Sequence, residues 1–138
     1  MTTESFPRLD IYLNYPGHCE EAFRFYEHHL GGKIVSVMKH GQLPPNPALP
    51  ENWKDAVLHA RIQVGNTLLM GADIPGAEPM RSAYLTLRFT TDEEAERVYD
   101  VLREGGEVFM KMEETFYASR FAMLRDSFGT SWMLLCEK

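Results

Sequence analysis

Apolar residues recur along the chain with the spacings of strands and helices. Residues Leu9 to Tyr15 alternate between apolar and polar, which predicts a half-buried strand. Residues Glu20 to Leu30 carry apolar side chains on one helical face, and Gly31-Gly32 ends the predicted helix. The same reasoning predicts three more strands in this half of the chain, at Lys33 to His40, Ala56 to Val64 and Thr67 to Ala72.

The second half of the chain repeats this order. After a strand at Tyr84 to Thr90, Thr91 and Glu94 form the pattern of a capping box and predict a helix that ends at Gly105-Gly106. Three strands follow, at Glu107 to Glu113, Ala118 to Asp126 and Thr130 to Cys136, with Asp126 and Gly129 in the last turn. Because Gly105 follows Gly31 by 74 positions, the chain reads as an internal repeat.

The sequence therefore predicts an α+β fold built from two βαβββ modules. Module one covers about residues 8–73 and module two about residues 83–138, and together they form a single domain. A linker from Asp73 to Ser82, which contains Pro75, Gly76 and Pro79, joins the two modules.

Alternation along the strands separates two faces in each predicted sheet. The apolar positions should face the helices: Leu9, Ile11 and Leu13, Ala56, Leu58, Ala60 and Ile62, and Leu85, Leu87 and Phe89. The opposite positions should line an inner surface: Asp10, Tyr12 and Asn14, His59, Arg61 and Gln63, and Tyr84, Thr86 and Arg88. These polar side chains are the first candidates for a binding site.

Composition excludes several classes of partner. The net charge is −6 and no basic cluster exists, which argues against nucleic acid and anionic membrane surfaces. No apolar run is long enough to span a bilayer, and residues 1–10 do not resemble a signal peptide. Two cysteines, Cys19 and Cys136, fit a reducing cytoplasm and lack metal or redox spacing. Cys19 begins a helix, a position that is expected to lower the pKa of a thiol.

Residues 41–54 form a proline-rich segment with Pro44, Pro45, Pro47 and Pro50. Proline neither continues a helix nor donates to a strand ladder, so the segment is predicted to be a loop. Two interpretations stay open at this point: a lid over a pocket, and a surface loop without a function.

The order of these motifs resembles the vicinal oxygen chelate superfamily, which includes glyoxalase I, bleomycin-resistance proteins and extradiol dioxygenases. The similar segments are Tyr12-Leu13 and Gly17, Glu21-Ala22, Phe25-Tyr26, Leu30-Gly31, His59-Ala60, Asp73, Glu114-Thr115-Phe116-Tyr117, and Asp126-x-Phe128-Gly129-x-x-Trp132-Met133. They look most like the PhnB-like branch. The resemblance implies a sheet curled around a pocket in each module, helices outside, and a dimer.

The resemblance also implies where a metal would bind. Metal enzymes of the superfamily place ligands on the first and last strands of each module, which correspond here to Asp10, Leu69, Tyr84 and Met133. Leu69 has no donor atom, and a thioether is a poor ligand for Ni²⁺, Zn²⁺, Fe²⁺ or Mn²⁺. We therefore expect no metal and no cofactor, and neither glyoxalase nor dioxygenase activity.

The remaining candidates favour a small-molecule site. The predicted ligand-binding residues are Asp10, Tyr12, His59, Arg61, Tyr84, Arg88 and Glu114. His59 and Glu114 are the candidates for catalysis; the family pattern makes Glu114 the partner of His59. Each also has a structural interpretation, as a hydrogen-bonded strand histidine and an exposed carboxylate. Phe116, Tyr117 and Trp132 are expected in the core.

Two functions remain open. One is a metal-free protein of the bleomycin-resistance type, which binds a small, partly aromatic and anionic molecule. The other is an isomerase- or lyase-type enzyme with His59 as an acid–base or metal-linked residue. A glycine-rich nucleotide loop is absent from the sequence, which argues against a methyltransferase. We also expect a cytoplasmic homodimer, because pairing modules between two chains would cover exposed sheet edges.

Overall fold

The computed structural model describes residues 6–44 and 47–138, which form two helices and eight strands. The chain divides into two compact units, Met1–Pro75 and Gly76–Lys138, here called unit one and unit two. Each unit contains one four-stranded mixed sheet and one helix. The predicted α+β fold of two βαβββ modules is confirmed. Neither helix in the described part of the chain is long and apolar enough to cross a membrane.

Unit one follows the order strand, helix, three strands. Its elements are β1 (Ile11–Tyr15), α1 (Cys19–His29), β2 (Lys33–Lys39), β3 (Val57–Val64) and β4 (Thr67–Asp73). The sheet order is β1-β4-β3-β2, with β1 parallel to β4 and the other pairs antiparallel. Between β2 and β3 lie two short 3-10 turns, His40–Gln42 and Glu51–Trp53.

The core of unit one lies between α1 and the sheet. Ala22, Phe23 and Tyr26 on α1 are fully buried, and the helix packs on β3 and β4. Gly71 on β4 permits this approach, since a Cβ there would lie 2.7 Å from the Phe23 ring. Glycine at this position therefore sets the distance between helix and sheet.

Asp73 ties together three separated segments of unit one. Its Oδ1 accepts hydrogen bonds from the backbone N–H groups of Gly17 (3.1 Å) and Cys19 (2.8 Å). Its Oδ2 accepts a bond from the N–H of Val57 at 2.9 Å. The carboxylate is 4% exposed, and it satisfies donors at the start of α1 and the start of β3 that would otherwise be left without a partner.

Unit two repeats this topology. Its elements are β5 (Leu85–Arg88), α2 (Asp92–Leu102), β6 (Glu107–Glu113), β7 (Ala118–Arg125) and β8 (Ser131–Glu137). The sheet order is β5-β8-β7-β6, with β5 parallel to β8. Helix α2 packs on β7 and β8 through the buried Ala95, Val98 and Leu102.

The predicted capping box at the start of α2 is half formed. The hydroxyl of Thr91 accepts a hydrogen bond from the N–H of Glu94 at 3.2 Å, as expected of an N-cap. The Glu94 carboxylate instead binds the Arg97 guanidinium. The reciprocal half of the box is thus replaced by an ion pair along the helix.

The turn between β7 and β8 forms around Asp126, as the sequence predicts. Asp126 Oδ1 accepts from the backbone N–H groups of Phe128 (2.9 Å) and Thr130 (3.0 Å), and Oδ2 accepts from Trp132 Nε1 (2.8 Å). Gly129 has φ +97°, a conformation that favours glycine. Trp132 is 1% exposed, so its predicted place in the core is confirmed.

Two predictions about buried apolar residues are wrong. Leu9 is 92% exposed because β1 begins only at Ile11, so Leu9 has no neighbouring strand to cover it. Phe116 is also 92% exposed, and Tyr117 is 43% exposed, because both lie in the connection between β6 and β7. Position in a connection, rather than hydrophobicity, decides their exposure.

The predicted alternation of β3 also fails at its beginning. Between Met38↔His59 and Lys39↔Val57, β3 advances two residues while β2 advances one. Leu58 is the extra residue of this bulge, and a bulge shifts the side-chain parity. Val57 is therefore fully buried on the helix side, whereas Leu58 and Ala56 are only partly buried.

Candidate functional site

Tyr12, His59 and Arg61 come together on the face of the unit one sheet that lies opposite α1, which we call the open face. Arg61 pairs with Met70 on β4, and Met70 pairs with Tyr12 on β1, so the three strands present these residues side by side. The rings of Tyr12 and His59 lie 5.8 Å apart between centroids. The prediction that His59 and Arg61 share a face is confirmed.

Arg61 contacts the imidazole directly. Its Nε donates a hydrogen bond to Nε2 of His59 at 3.3 Å. An imidazole nitrogen accepts only when it carries no proton, so this contact requires neutral His59 with its proton on Nδ1. Partial burial, together with the nearby Cys19, raises the pKa of the Tyr12 phenol. Tyr12 therefore stays a neutral hydroxyl beside the His59 ring.

The positive charge of Arg61 has no acidic partner among the residues that the structure describes. Asp10, predicted on the same face, pairs with Arg8, whose Nε lies 3.3 Å from Asp10 Oδ1. Asp10 also precedes β1 and is exposed. The open face thus combines two rings with a guanidinium that a ligand can reach.

The strand register corrects one position of the family metal site. Leu69 pairs with Ile11 and is 4% exposed, so it belongs to the helix side of the sheet. Met70 pairs with Tyr12 in the same way that Met133 pairs with Thr86, and is therefore the true counterpart of Met133. The prediction at Leu69 is wrong by one residue.

Unequal hairpins explain this shift. The β3–β4 hairpin closes at Val64↔Thr67 with two residues between, whereas the β7–β8 hairpin closes at Arg125↔Ser131 with five. Matching the glycines of the two turns therefore misaligns the strands that follow. A thioether at Met70 is as poor a ligand for Ni²⁺, Zn²⁺, Fe²⁺ or Mn²⁺ as the one at Met133. Within residues 6–44 and 47–138, no three His, Cys, Asp or Glu side chains are grouped for metal binding.

Unit two presents a different surface on the face opposite α2, which we call the apolar face. Phe121 and Leu135 are buried there with Ala118, and Met123 and Met133 pack against them. Tyr84, a predicted ligand residue, stacks edge-on against Phe109 with centroids 6.3 Å apart. This face is lined mainly by carbon and sulfur atoms. Its Arg125 guanidinium, which lies over the Phe109 ring, donates to the Met80 carbonyl and pairs with Glu107.

The charged candidates of unit two are paired within the unit. Arg88 Nη1 lies 2.7 Å from Glu137 Oε1, and Lys138 Nζ lies 2.8 Å from Glu114 Oε2. The hydrogen bond from Lys138 lowers the pKa of Glu114. Glu114 is therefore an ion-paired, exposed carboxylate in unit two, and its role as a partner of His59 stays a prediction.

The thiol of Cys19 does not behave as its place at a helix start suggests. It is fully buried, and burial raises its pKa to about 12, with the nearby Asp73 and Glu20 carboxylates adding to the effect. The prediction of a lowered pKa is wrong, because desolvation outweighs the helix dipole. Cys19 and Cys136 are both buried and free, which makes them core residues.

A cavity of about 830 Å³ lies beneath the proline-rich loop of unit one. Its walls include His40, Leu43, Leu49, Trp53, Lys54 and Leu58. The sequence analysis identified the loop but named none of these residues as site candidates. The signal available in the sequence was the cluster of prolines, because proline cannot donate the backbone hydrogen bonds that would pair this segment as a strand. Pro45 lies outside the described residues.

Comparison with known proteins extends these observations. The model of the Glyoxalase/Bleomycin resistance protein/Dioxygenase superfamily matches residues 8–134. Protein YjdN of Escherichia coli (strain K12) is 28% identical over 136 residues, which cover 91% of this chain and 92% of that protein.

Solved structures show the same fold. Protein PA1353 from Pseudomonas aeruginosa is 38% identical, with a TM-score of 0.80 over 94% of this chain and 98% of that one. The PhnB protein from Bacillus cereus is 23% identical, with a TM-score of 0.80 over 94% and 99% of the two chains. The repeated βαβββ topology and the family match over residues 8–134 together show that this chain belongs to the Glyoxalase/Bleomycin resistance protein/Dioxygenase superfamily.

Proposed function

We propose that this chain is a metal-free small-molecule-binding protein of the PhnB-like branch, and that its ligand is a small aromatic anion held on the open face of unit one. One observation carries the proposal: Arg61 donates to His59, whose ring lies beside Tyr12, and no carboxylate in the described part of the chain compensates its charge. A guanidinium in this state matches a carboxylate, to which it can donate two parallel hydrogen bonds.

The neighbouring side chains suit an aromatic ligand. The rings of Tyr12 and His59 are tilted by 37° and spaced by 5.8 Å, and Tyr12 is 48% exposed. Aromatic rings favour offset or tilted contacts at such distances. Met70, between Tyr12 and Arg61 in the sheet, adds a polarizable surface beneath the ligand.

The geometry favours binding over catalysis. A general base needs a free nitrogen within reach of a substrate proton, but Arg61 already donates to Nε2 of His59. His59 would thus act as an enzyme base only after Arg61 moved away. A ligand carboxylate that draws Arg61 to itself would release Nε2, which is the state that the isomerase or lyase alternative requires.

Titration calorimetry with benzoate and its neutral analogue benzamide tests the proposal. A charge-assisted contact contributes about 1.5–3 kcal/mol. Arg61→Ala should therefore weaken benzoate binding by about ten- to a hundredfold at ~1.4 kcal/mol per decade. Benzamide binding should hardly change, and the melting temperature should stay nearly constant because Arg61 is exposed.

Arg88→Ala is the matched control. It also removes an exposed strand arginine, but that arginine is already paired with Glu137 in unit two. Benzoate affinity should be unaffected by this change. Equal losses for benzoate and benzamide in Arg61→Ala, or a sharp fall in its melting temperature, would show that Arg61 is structural and would remove the anion from the proposal.

We further propose that the protein acts as a homodimer. The edge strands β2 and β6 carry exposed apolar side chains, with Val35 58% and Met110 50% exposed, and unpaired sheet edges favour association. Light scattering at tens of micromolar chain should give twice the chain mass of 15.9 kDa. A mass of one chain at that concentration would contradict the dimer.

A further inference from the structure

The cavity beneath the proline-rich loop of unit one differs chemically from the open face. Its apolar walls are Leu43, Pro44, Pro47, Leu49, Pro50, Trp53 and Leu58. Its volume of about 830 Å³ lies within the range of roughly 300–1,000 Å³ that is typical of small-molecule pockets. A single benzene ring would leave most of this space unfilled, so the cavity fits a larger, multi-ring molecule.

Two backbone hydrogen bonds join the start of the loop to its end, a place that we call the neck. The N–H of Gly41 donates to the carbonyl of Lys54 at 2.7 Å, and the N–H of His40 donates to the carbonyl of Ala56 at 3.0 Å. Gly41 has no room for a side chain, since a Cβ there would lie 2.8 Å from the Lys54 carbonyl oxygen. These two rungs extend the β2–β3 pairing and place His40 and Lys54 at the same end of the cavity.

This neck carries the positive charge of the cavity. The Lys54 ammonium has no carboxylate partner among the described residues, and His40, which also lines the cavity, adds an imidazole N–H donor. The cavity's acidic residue, Glu51, begins the 3-10 turn that ends at Trp53. An acidic group at the neck would meet Lys54 and His40, while fused rings would contact Trp53 and the leucines.

We propose that this cavity is a second binding site, for a multi-ring aromatic molecule with one acidic group. It is independent of the open face, because Arg61 and Tyr12 do not line it. Trp53 supplies a ring for stacking, and Leu58, the bulge residue of β3, supplies the floor. The bulge therefore has a consequence for binding, since it turns Leu58 out of the helix-side core.

Two fluorescent probes test this site: 8-anilinonaphthalene-1-sulfonate and its neutral counterpart N-phenyl-1-naphthylamine, which lacks the sulfonate. Trp53 and Trp132 are the only tryptophans in the chain, and Trp132 is buried in unit two. Both probes should bind saturably and quench Trp53. Trp53→Leu should weaken both probes by about tenfold, in line with roughly 1–2 kcal/mol for a lost aromatic contact.

The two charged residues of the cavity should have opposite effects on the affinity for the sulfonate probe. Lys54→Gln should weaken the sulfonate probe by about threefold and Glu51→Gln should strengthen it by a similar factor, the effects of partly exposed charges. Neither change should alter binding of the neutral probe. Lys33→Gln, which removes an exposed lysine from β2 outside the cavity, is the matched control and should leave both probes unaffected.

The outcomes separate this site from the open face. Arg61→Ala should leave quenching of Trp53 by the sulfonate probe intact even if benzoate binding is lost, so failure of one proposal does not imply failure of the other. Leu43→Ala, at a 45% exposed position, serves as a second cavity variant should Trp53→Leu fail to fold. If both variants bind both probes as the wild type does, or if quenching is retained after Trp53→Leu, the cavity is not the site.

Discussion

Units one and two share a topology but differ on the face that their helices leave uncovered. Arg61 and Met123 occupy matching places, since each pairs with a methionine of the last strand, Met70 and Met133 respectively. Across that methionine stands Tyr12 in unit one and Thr86 in unit two. A ring and a guanidinium that has no carboxylate partner among the described residues thus correspond, in the other unit, to a small hydroxyl and a thioether.

The comparison shows which positions the repeat constrains. Leu69 and Trp132, which match in register, are both buried on the helix side. The uncovered faces, in contrast, have diverged in charge: Arg61 has no acidic partner in the described part of the chain, whereas Arg88 is paired. Packing against the helix constrains one face of each sheet, whereas the other face differs between the two units.

The largest predicted effect tests whether both units depend on a buried carboxylate. Asp73 and Asp126 are each 4% exposed and each accept three N–H hydrogen bonds. Replacement by Ala leaves these donors without partners, at about 1–3 kcal/mol each. We expect Asp73→Ala and Asp126→Ala each to lower the free energy of unfolding in urea by about 3 kcal/mol or more.

Asp10→Ala is the control for these two variants. Asp10 is exposed and paired only with Arg8, so its loss should cost less than about 1 kcal/mol. The two buried carboxylates differ in the sequence separation of their partners. Asp73 accepts from residues that are 16 to 56 positions away in the sequence, whereas Asp126 accepts from residues that are two to six positions away. If Asp73→Ala lowered the free energy of unfolding no more than Asp10→Ala does, Asp73 would not be what joins the separated segments of unit one.

A second prediction concerns pH and unit one. The folded chain holds Cys19 as a thiol up to a pKa of about 12, while an unfolded chain ionises it near the ordinary value of 9.0. A raised pKa in the folded state contributes stability that is fully present below pH 9 and is lost as the pH rises towards 12. At ~1.36 kcal/mol per pKa unit, the loss is at most about 4 kcal/mol.

Cys19→Ala isolates this contribution. Comparison of urea unfolding at pH 8 and at about pH 11 should show a steeper loss of stability in the wild type than in the variant, since other groups titrate alike in both. Parallel pH dependence in the two proteins would mean that Cys19 is not held as a buried thiol.

The smallest effect tests the pairing of charges in unit two. Lys138 lowers the pKa of Glu114 mainly through a side-chain hydrogen bond. Lys138→Ala should therefore raise the pKa of Glu114 towards its usual range, which carboxyl NMR titration can follow. The Glu20 carboxyl in unit one, whose pKa is lowered by hydrogen bonds from Arg24 and Lys39, is the internal control. An unchanged Glu114 curve would show that this pair does not persist in solution.

The elements and faces that follow simple periodicity could be predicted from the sequence. The shared face of His59 and Arg61 follows from strand parity alone, and the turn at Asp126 follows from side-chain chemistry. The alternation of side chains between the two faces of a sheet is interrupted where a bulge adds a residue to one strand. The bulge at Leu58 depends on the partner strand β2, which no local pattern reveals.

The remaining site features depend on contacts that are distant in the sequence. The counterpart of Met133 could not be identified as Met70 without the pairing of β1 with β4. The uncompensated charge of Arg61 is likewise a property of its surroundings, because Asp10 pairs with Arg8 instead. Residue type predicted the candidate binding residues. Only the fold shows which of their charges are paired with a neighbouring residue and which are not.

NMR mapping of benzoate on the wild-type protein tests the central difference between the two units most directly. We expect saturable shifts of the His59 ring and of Arg61 Nε–H, with loss of the Nε2 acceptor contact, while the methyl groups of Met123 and Met133 stay unchanged. Saturable shifts confined to those two methyl groups, or none at His59 and Arg61 at saturating benzoate, would contradict this expectation.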